Sequence, residues 1–215
     1  MGPLPPRTPE NLRSHFESHE AIHVFGLIER LRMTRLLFRY PPRFVWAAYV
    51  LITCFISIAL ISALAVFTGN PFVFPSLGPT AYLLFFTPLA RASSPRHALL
   101  GHAIGLACGY LALYATGTLN RGAVLETGVN WPTVIAAASS LSATGALMVL
   151  LRVSHPPAGA TTLIVSLGLI AKPIHLLMVE AAVFLLVVEA FAINRLAGLP
   201  YPWWEDRVAP TPEPH

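Results

Sequence analysis

Asn70-Pro71-Phe72-Val73-Phe74-Pro75-Ser76-Leu77-Gly78-Pro79-Thr80 and Ser154-His155-Pro156-Pro157-Ala158-Gly159-Ala160-Thr161-Thr162 break an otherwise apolar chain at two matching places. Proline lacks an N–H and clashes with the preceding helical turn, so neither stretch reads as a continuous helix. Each leads into an apolar run, Ala81–Leu89 or Leu163–Ala171. Both runs are too short to cross hydrocarbon, which takes about 20 residues at about 1.5 Å of rise each. Four other runs are long enough: Phe44–Phe67, His97–Thr116, Pro132–Leu151 and Ile174–Leu196. The order span, broken segment, half-helix, span therefore occurs twice.

The resemblance between the halves reaches single residues. Pro75-Ser76-Leu77-Gly78-Pro79-Thr80-Ala81 aligns with Pro156-Pro157-Ala158-Gly159-Ala160-Thr161-Thr162, and Pro95, His97 and His102 align with Pro173, His175 and Glu180. The fold expected is an all-α polytopic membrane bundle of two repeats, residues 44–116 and 132–197, with a transmembrane domain over 44–197. Residues 1–43 read as a Pro-rich tail followed by an amphipathic interfacial helix, and 198–215 as a short, loosely ordered cytoplasmic tail.

Composition agrees. The 215 residues are 55% hydrophobic and 11% charged, whereas a soluble domain carries about a quarter charged residues. Lipid is the natural solvent for such a chain. Arg30, Arg32, Arg35, Arg39 and Arg43 stand just before the first span, where anionic headgroups explain a basic cluster better than nucleic acid does. Cys54 and Cys108, the two cysteines, lie in apolar runs and read as small buried hydrophobes. His15, His19 and His23 share a helix face in the interfacial helix. No carboxylate or cysteine completes a ligand set there, so a polar face is expected and no metal or other cofactor is inferred.

Arginine placement bears on topology. If each broken segment crosses the bilayer, each half has three crossings and the second is inverted. With the N-terminus inside, Arg91, Arg96, Arg152 and Arg195 then fall in the cytoplasm, leaving Arg121 and Lys172 outside. Re-entrant segments would give parallel repeats and put Arg91 and Arg96 outside. The charge bias favours the inverted arrangement, in the cell (inner) membrane with a cytoplasmic N-terminus.

Irregular backbone at membrane depth must be buried in protein or line a water-filled cavity. Helix starts near Gly78-Pro79-Thr80 and Gly159-Ala160-Thr161-Thr162 would offer free N–H donors and the positive ends of two dipoles, a site for a small anion. The residues expected to bind substrate are Ser76, Gly78, Thr80, His155, Gly159, Thr161 and Thr162. His102 and Glu180 are ionisable, lie within spans at matched positions, and are expected to form a proton-titratable pair. Glu189 is expected near the cytoplasmic end, close to Arg195, in a pairing or interfacial role. No nucleophile elbow, HExxH, P-loop or CxxC points to an enzyme. A cation or metal permease using carbonyls or Glu180, or a non-transporting scaffold, are the other readings. Gly101, Gly105 and Gly109 form a GxxxGxxxG face, which with the small size of the bundle suggests a homo-oligomer.

The stretch Ser154-His155-Pro156-Pro157-Ala158-Gly159-Ala160-Thr161 resembles the signature of the HPP family of integral membrane proteins. Gly78, Leu83-Leu84-Phe85, Pro95-Arg96 and Gly101-His102 are similar to that family's other recurring marks, and the likeness covers residues 44–196. The resemblance implies a transporter-like protein with four membrane helices, whose plastid and cyanobacterial relatives are linked to nitrite movement. Pro79 departs from the family pattern and removes one N–H donor from the first half-site. No CBS-type soluble segment stands within these residues.

Overall fold

The computed structural model describes residues 33–205. The Pro-rich start, most of the interfacial helix with its three histidines, and residues 206–215 lie outside the described residues. All regular structure among those described is helical, in the order α1 Met33–Arg39, α2 Pro42–Thr68, α3 Leu77–Phe86, α4 Pro95–Ala115, α5 Val124–Thr127, α6 Trp131–Leu150, α7 Pro157–Ser166 and α8 Pro173–Leu196. Helices α2, α4, α6 and α8 are the four long and apolar enough to cross a membrane.

Prolines set most of the starts. Pro42, Pro95, Pro132, Pro157 and Pro173 each occupy the first or second helical position, where the missing N–H has no partner to lose. The half-helices begin at Leu77 and Pro157, a residue or two before the starts expected near Gly78-Pro79-Thr80 and Gly159-Ala160-Thr161-Thr162. Pro79 sits in the first turn of α3 instead of ending the break, because first-turn N–H groups are not needed by the helix. Gly69, with φ +67°, terminates α2 in the left-handed conformation.

Hydrogen bonds between distant segments fix which helix ends lie together. Met33 N–H donates to Ala197 O at 3.1 Å and Arg96 N–H to Trp204 O at 3.0 Å, joining the starts of α1 and α4 to the end of α8 and the segment after it. Arg91 donates to Arg152 O at 3.1 Å, bringing the end of α6 to the same place. Arg91, Arg96, Arg152 and Arg195 all belong to this arginine end. At the far end, Val124 N–H donates to Leu167 O at 3.0 Å, so α7 finishes beside the loop that follows α4. Residues 69–94 therefore run from the far end to the arginine end, and residues 151–172 run back. Half-helix α3 points toward the arginine end, where Asn194 Nδ2 donates to Leu84 O at 3.2 Å.

The expected tail after α8 is not loose through residue 205. Tyr201 is fully buried, its hydroxyl donates to Ser93 O at 2.5 Å, and its ring meets Phe191 edge-on. An aromatic side chain of this size anchors the segment through buried apolar area.

Helix α4 is the hub, packed most extensively on α7 and α6. Its glycines explain the closeness. A Cβ on Gly105 would lie 2.7 Å from Ala158 O and 2.8 Å from Thr162 Oγ1, and one on Gly109 would lie 2.7 Å from Val165 Cβ. The glycine face is thus occupied within the chain, and the self-association expected of it has no free glycine surface to use. Replacing Gly105 with Val should push α7 away and lower stability by about 1–3 kcal/mol, read as a lower Tm in detergent. Gly145→Ala on α6 meets nothing within 4 Å and should leave Tm unchanged or raise it slightly.

Candidate functional site

Thr80 is the fourth residue of α3, and Thr161 the fifth of α7. Both touch one imidazole. His102 Nε2 lies 2.9 Å from Thr80 Oγ1, and His102 Nδ1 lies 2.7 Å from Thr161 Oγ1. Thr80, His102 and Thr161 are at most 1% exposed. The His155 ring stands 5.0 Å from that of His102, tilted by 57°, over Gly101, whose absent Cβ leaves room for it.

The hydrogens can be assigned from the partners. Thr161 has no other acceptor among the described residues, so its hydroxyl donates to Nδ1 of His102. A neutral His102 then carries its proton on Nε2 and donates to Thr80, whose hydroxyl donates to Ser76 O at 2.9 Å. His155 Nδ1 donates to Ala92 O at 2.8 Å, which leaves Nε2 as a lone pair 3.4 Å from Thr80 Oγ1. The result is a directed polar chain between the two half-helices with one spare acceptor.

Other expected site residues fall differently. Thr162 faces α6, bonded to Ala158 O at 3.0 Å and 2.9 Å from Thr144 Oγ1, so it ties α7 to α6. Ser76 is fully buried, and its hydroxyl has no partner among the described residues. Gly78 is exposed, and Gly159 is half-buried against Leu141. Glu180 forms no hydrogen bond or ion pair with His102, and its Oε2 is buried without a partner among the described residues. Helix direction explains this: His102 is seven residues from the arginine end of α4, and Glu180 seven from the far end of α8. Arg195 stacks over Phe191 and Trp203, 5.5 and 6.0 Å from the ring centroids, rather than pairing with Glu189.

The expected double set of free N–H donors is also reduced. Pro157 has none, and Ala158 and Gly159 donate to His155 O and Pro156 O, each at 3.0 Å. In α3, Leu77 donates to Phe74 O at 2.9 Å and Pro79 has no N–H. Gly78 N–H is the first-turn donor left without a partner among the described residues. Such three-residue turns are how helix starts satisfy themselves when prolines surround them.

Sequence reasoning missed His97 and Glu205. Ser154 N–H donates to His97 Nδ1 at 2.7 Å, so the proton of this buried ring is on Nε2. Nε2 faces Arg91 Nε at 3.2 Å and Glu205 Oε1 at 3.1 Å, and the proton goes to the carboxylate. Arg96 spans both Glu205 oxygens at 2.8 Å, and Arg91 lies 3.6 Å away. Arg152, left-handed at φ 53°, turns its carbonyl to Arg91. Glu205 thereby latches the segment after α8 across the arginine end, one residue from His155. The pairing of His97 with His175 in the repeat was the one signal at this position.

A bundle of four membrane-length helices, with two half-helices meeting on a buried histidine, defines a polytopic α-helical membrane protein with an internal polar site. Residues 40–202 match the family described as HPP, transmembrane region, and the chain belongs to the HPP family. No curated protein and no solved structure matches it.

The hydrogen bond from His97, reinforced by Arg96, holds the Glu205 carboxyl below the usual carboxylate range. A lowered folded-state pKa stabilises at pH above the unfolded value of about 4.3 and is lost as pH falls through the folded value. Fluorescence of Trp203 and Trp204, with Trp46 and Trp131 changed to Phe, should stay constant from about pH 7 to 5 and change only below about 4. Glu205→Gln should abolish that transition.

Proposed function

We propose that this chain is a permease for a small inorganic anion, passive or proton-coupled, with nitrite the candidate suggested by the family resemblance, rather than an enzyme. One observation carries the reading: matched threonines of two half-helices hold the two nitrogens of one buried histidine. An anion is stabilised there by the unpartnered Ser76 hydroxyl, by Gly78 N–H and by the positive ends of both helix dipoles. A proton arriving with it on His155 or His102 keeps the burial nearly neutral, which removes most of the cost of moving charge out of water. Ser76, Gly78, Thr80, His155, Gly159 and Thr161 line the path, Thr162 holds α7 in place, and His102 relays the proton. Glu180 acts apart from this chain, on the far-end half of α8.

In this reading the two halves are inverted copies and the arginine end is cytoplasmic, which the clustering of Arg91, Arg96, Arg152 and Arg195 supports. Self-association would use the lipid-facing sides of α2 and α6, of whose spans 17% and 22% are buried within the chain.

Purified protein in liposomes should carry nitrite faster than chloride, with nitrate and formate as further tests; efflux equal to that of protein-free vesicles sinks the proposal. Gly78→Leu supplies a sharper test, because a Cβ there meets nothing within 4 Å. It should reduce flux at least about tenfold with Tm unchanged, since the side chain blocks approach to the N–H groups. If the glycine served packing alone, flux and Tm would fall together.

A further inference from the structure

Residues 70–74 descend from the far end without regular structure and residues 75–76 turn into α3, and side-chain exposure alternates along 71–76. Phe72, Phe74 and Ser76 turn inward, with Phe74 7% exposed and Ser76 fully buried, while Pro71, Val73 and Pro75 are exposed. That is the two-residue period of a strand, yet no strand lies beside it. Among the described residues, the N–H groups of Phe72, Val73, Phe74, Ser76 and Gly78 make no hydrogen bond.

Depth makes this decisive. His102 is seven residues into α4, about 10 Å from the arginine end at about 1.5 Å per residue. Thr80 is level with it, and Gly78 is two residues farther toward the far end, so Gly78 lies near the middle of about 30 Å of hydrocarbon. Each backbone polar group left unpaired in lipid costs several kcal/mol, so irregular backbone at this depth is covered by protein or by water. In this chain the neighbouring groove is poor in free backbone donors. The apolar groove of about 390 Å³ between the half-helices is lined by Pro79, Tyr82, Leu83, Pro156, Pro157 and Ala160, and its three prolines have no N–H to leave unpaired. The stretch from Phe72 to Gly78 has five.

We infer that residues 71–78 line a water-filled vestibule that opens at the far end and reaches Gly78 at mid-depth, giving the solute class of small hydrophilic anions access to Thr80 and His102 from that face. The orphaned hydroxyl of Ser76, buried beside this path, is a second group that water or solute would satisfy. The other face is closed by the Glu205 latch, so the conformation is accessible from the far end alone. This deepens the permease reading and rests on it for the identity of the solute; the vestibule itself is tested without transport.

The test uses the full chain in proteoliposomes with Cys54→Ala and Cys108→Ala, carrying Pro75→Cys or Gly78→Cys, and a sulfonate-bearing maleimide that does not cross bilayers. A thiol reacts as thiolate, which forms in water and not in hydrocarbon. Both cysteines should react at a rate near that of Asn120→Cys in the exposed far-end loop, and at least about tenfold faster than Phe184→Cys. Phe184 is 54% exposed at comparable depth on α8. Reagent confined to the arginine side should leave Pro75→Cys and Gly78→Cys unmodified. Rates no faster than Phe184→Cys overturn the vestibule, and so does labelling from the arginine side. Neither result touches the flux measurement, so the permease can fail while the vestibule stands, or the reverse.

Discussion

The distance between α4 and α7 governs everything polar in this molecule. Three glycines at four-residue spacing strip one face of α4 of its side chains, and the backbone of α7 comes close enough that a Cβ on Gly105 would sit 2.7 Å from Ala158 O. Close approach of this kind gives membrane helices their dispersion contact, because lipid offers no hydrophobic drive for helices to associate. It also seats the His155 ring over Gly101 and puts Thr161 within 2.7 Å of His102. Without that approach a histidine at membrane depth would have no partner on α7, and a buried imidazole lacking hydrogen bonds is costly.

The two ends of the bundle solve the same problem in opposite ways. At the arginine end, carbonyls and N–H groups freed by the breaks are met by side chains: His97 takes Ser154 N–H, Arg91 takes Arg152 O, His155 takes Ala92 O and Tyr201 takes Ser93 O. Charged and aromatic groups are affordable there because the headgroup region is wet. Along residues 71–78, Thr80 Oγ1 meets Ser76 O, but among the described residues no side chain meets the N–H groups of Phe72, Val73, Phe74, Ser76 or Gly78. The asymmetry falls between halves whose sequences match, so it belongs to a conformation rather than to the composition of either half.

What was legible in the sequence followed from length and period. Four spans could be drawn because about 20 apolar residues without charge have few other uses, and the observed α2, α4, α6 and α8 differ from those runs by a few residues at their ends. The broken segments were legible through their prolines, but not the first residues of their helices, since proline both interrupts a helix and begins one. Thr80, His102, His155 and Thr161 were singled out one by one; that they form one chain was not visible, because partners 22 to 75 positions apart meet only through the packing of α4 on α3 and α7. The same limit hid Glu205, which reaches His97 and Arg96 across 108 and 109 positions. A Pro-rich ending looks loose by composition, and Tyr201 holds it down by contacts that composition does not record.

The distribution of prolines then carries a physical meaning beyond helix breaking. A backbone that leaves helical form in hydrocarbon can avoid unpaired donors by pairing them, by wetting them, or by having none. Two of these devices occur within a few residues of His102, and the vestibule inferred above supplies the third. Ala158 and Gly159 pair theirs in tight turns, Pro79, Pro156 and Pro157 have none where the groove faces outward, and Phe72 to Gly78 keep theirs. A chain able to place proline at 71, 75 and 79 had the means to remove the intervening donors. Retaining them at mid-depth, beside a hydroxyl with no partner, is what a surface needs when its ligand arrives with water and must be bound by backbone as well as by side chains.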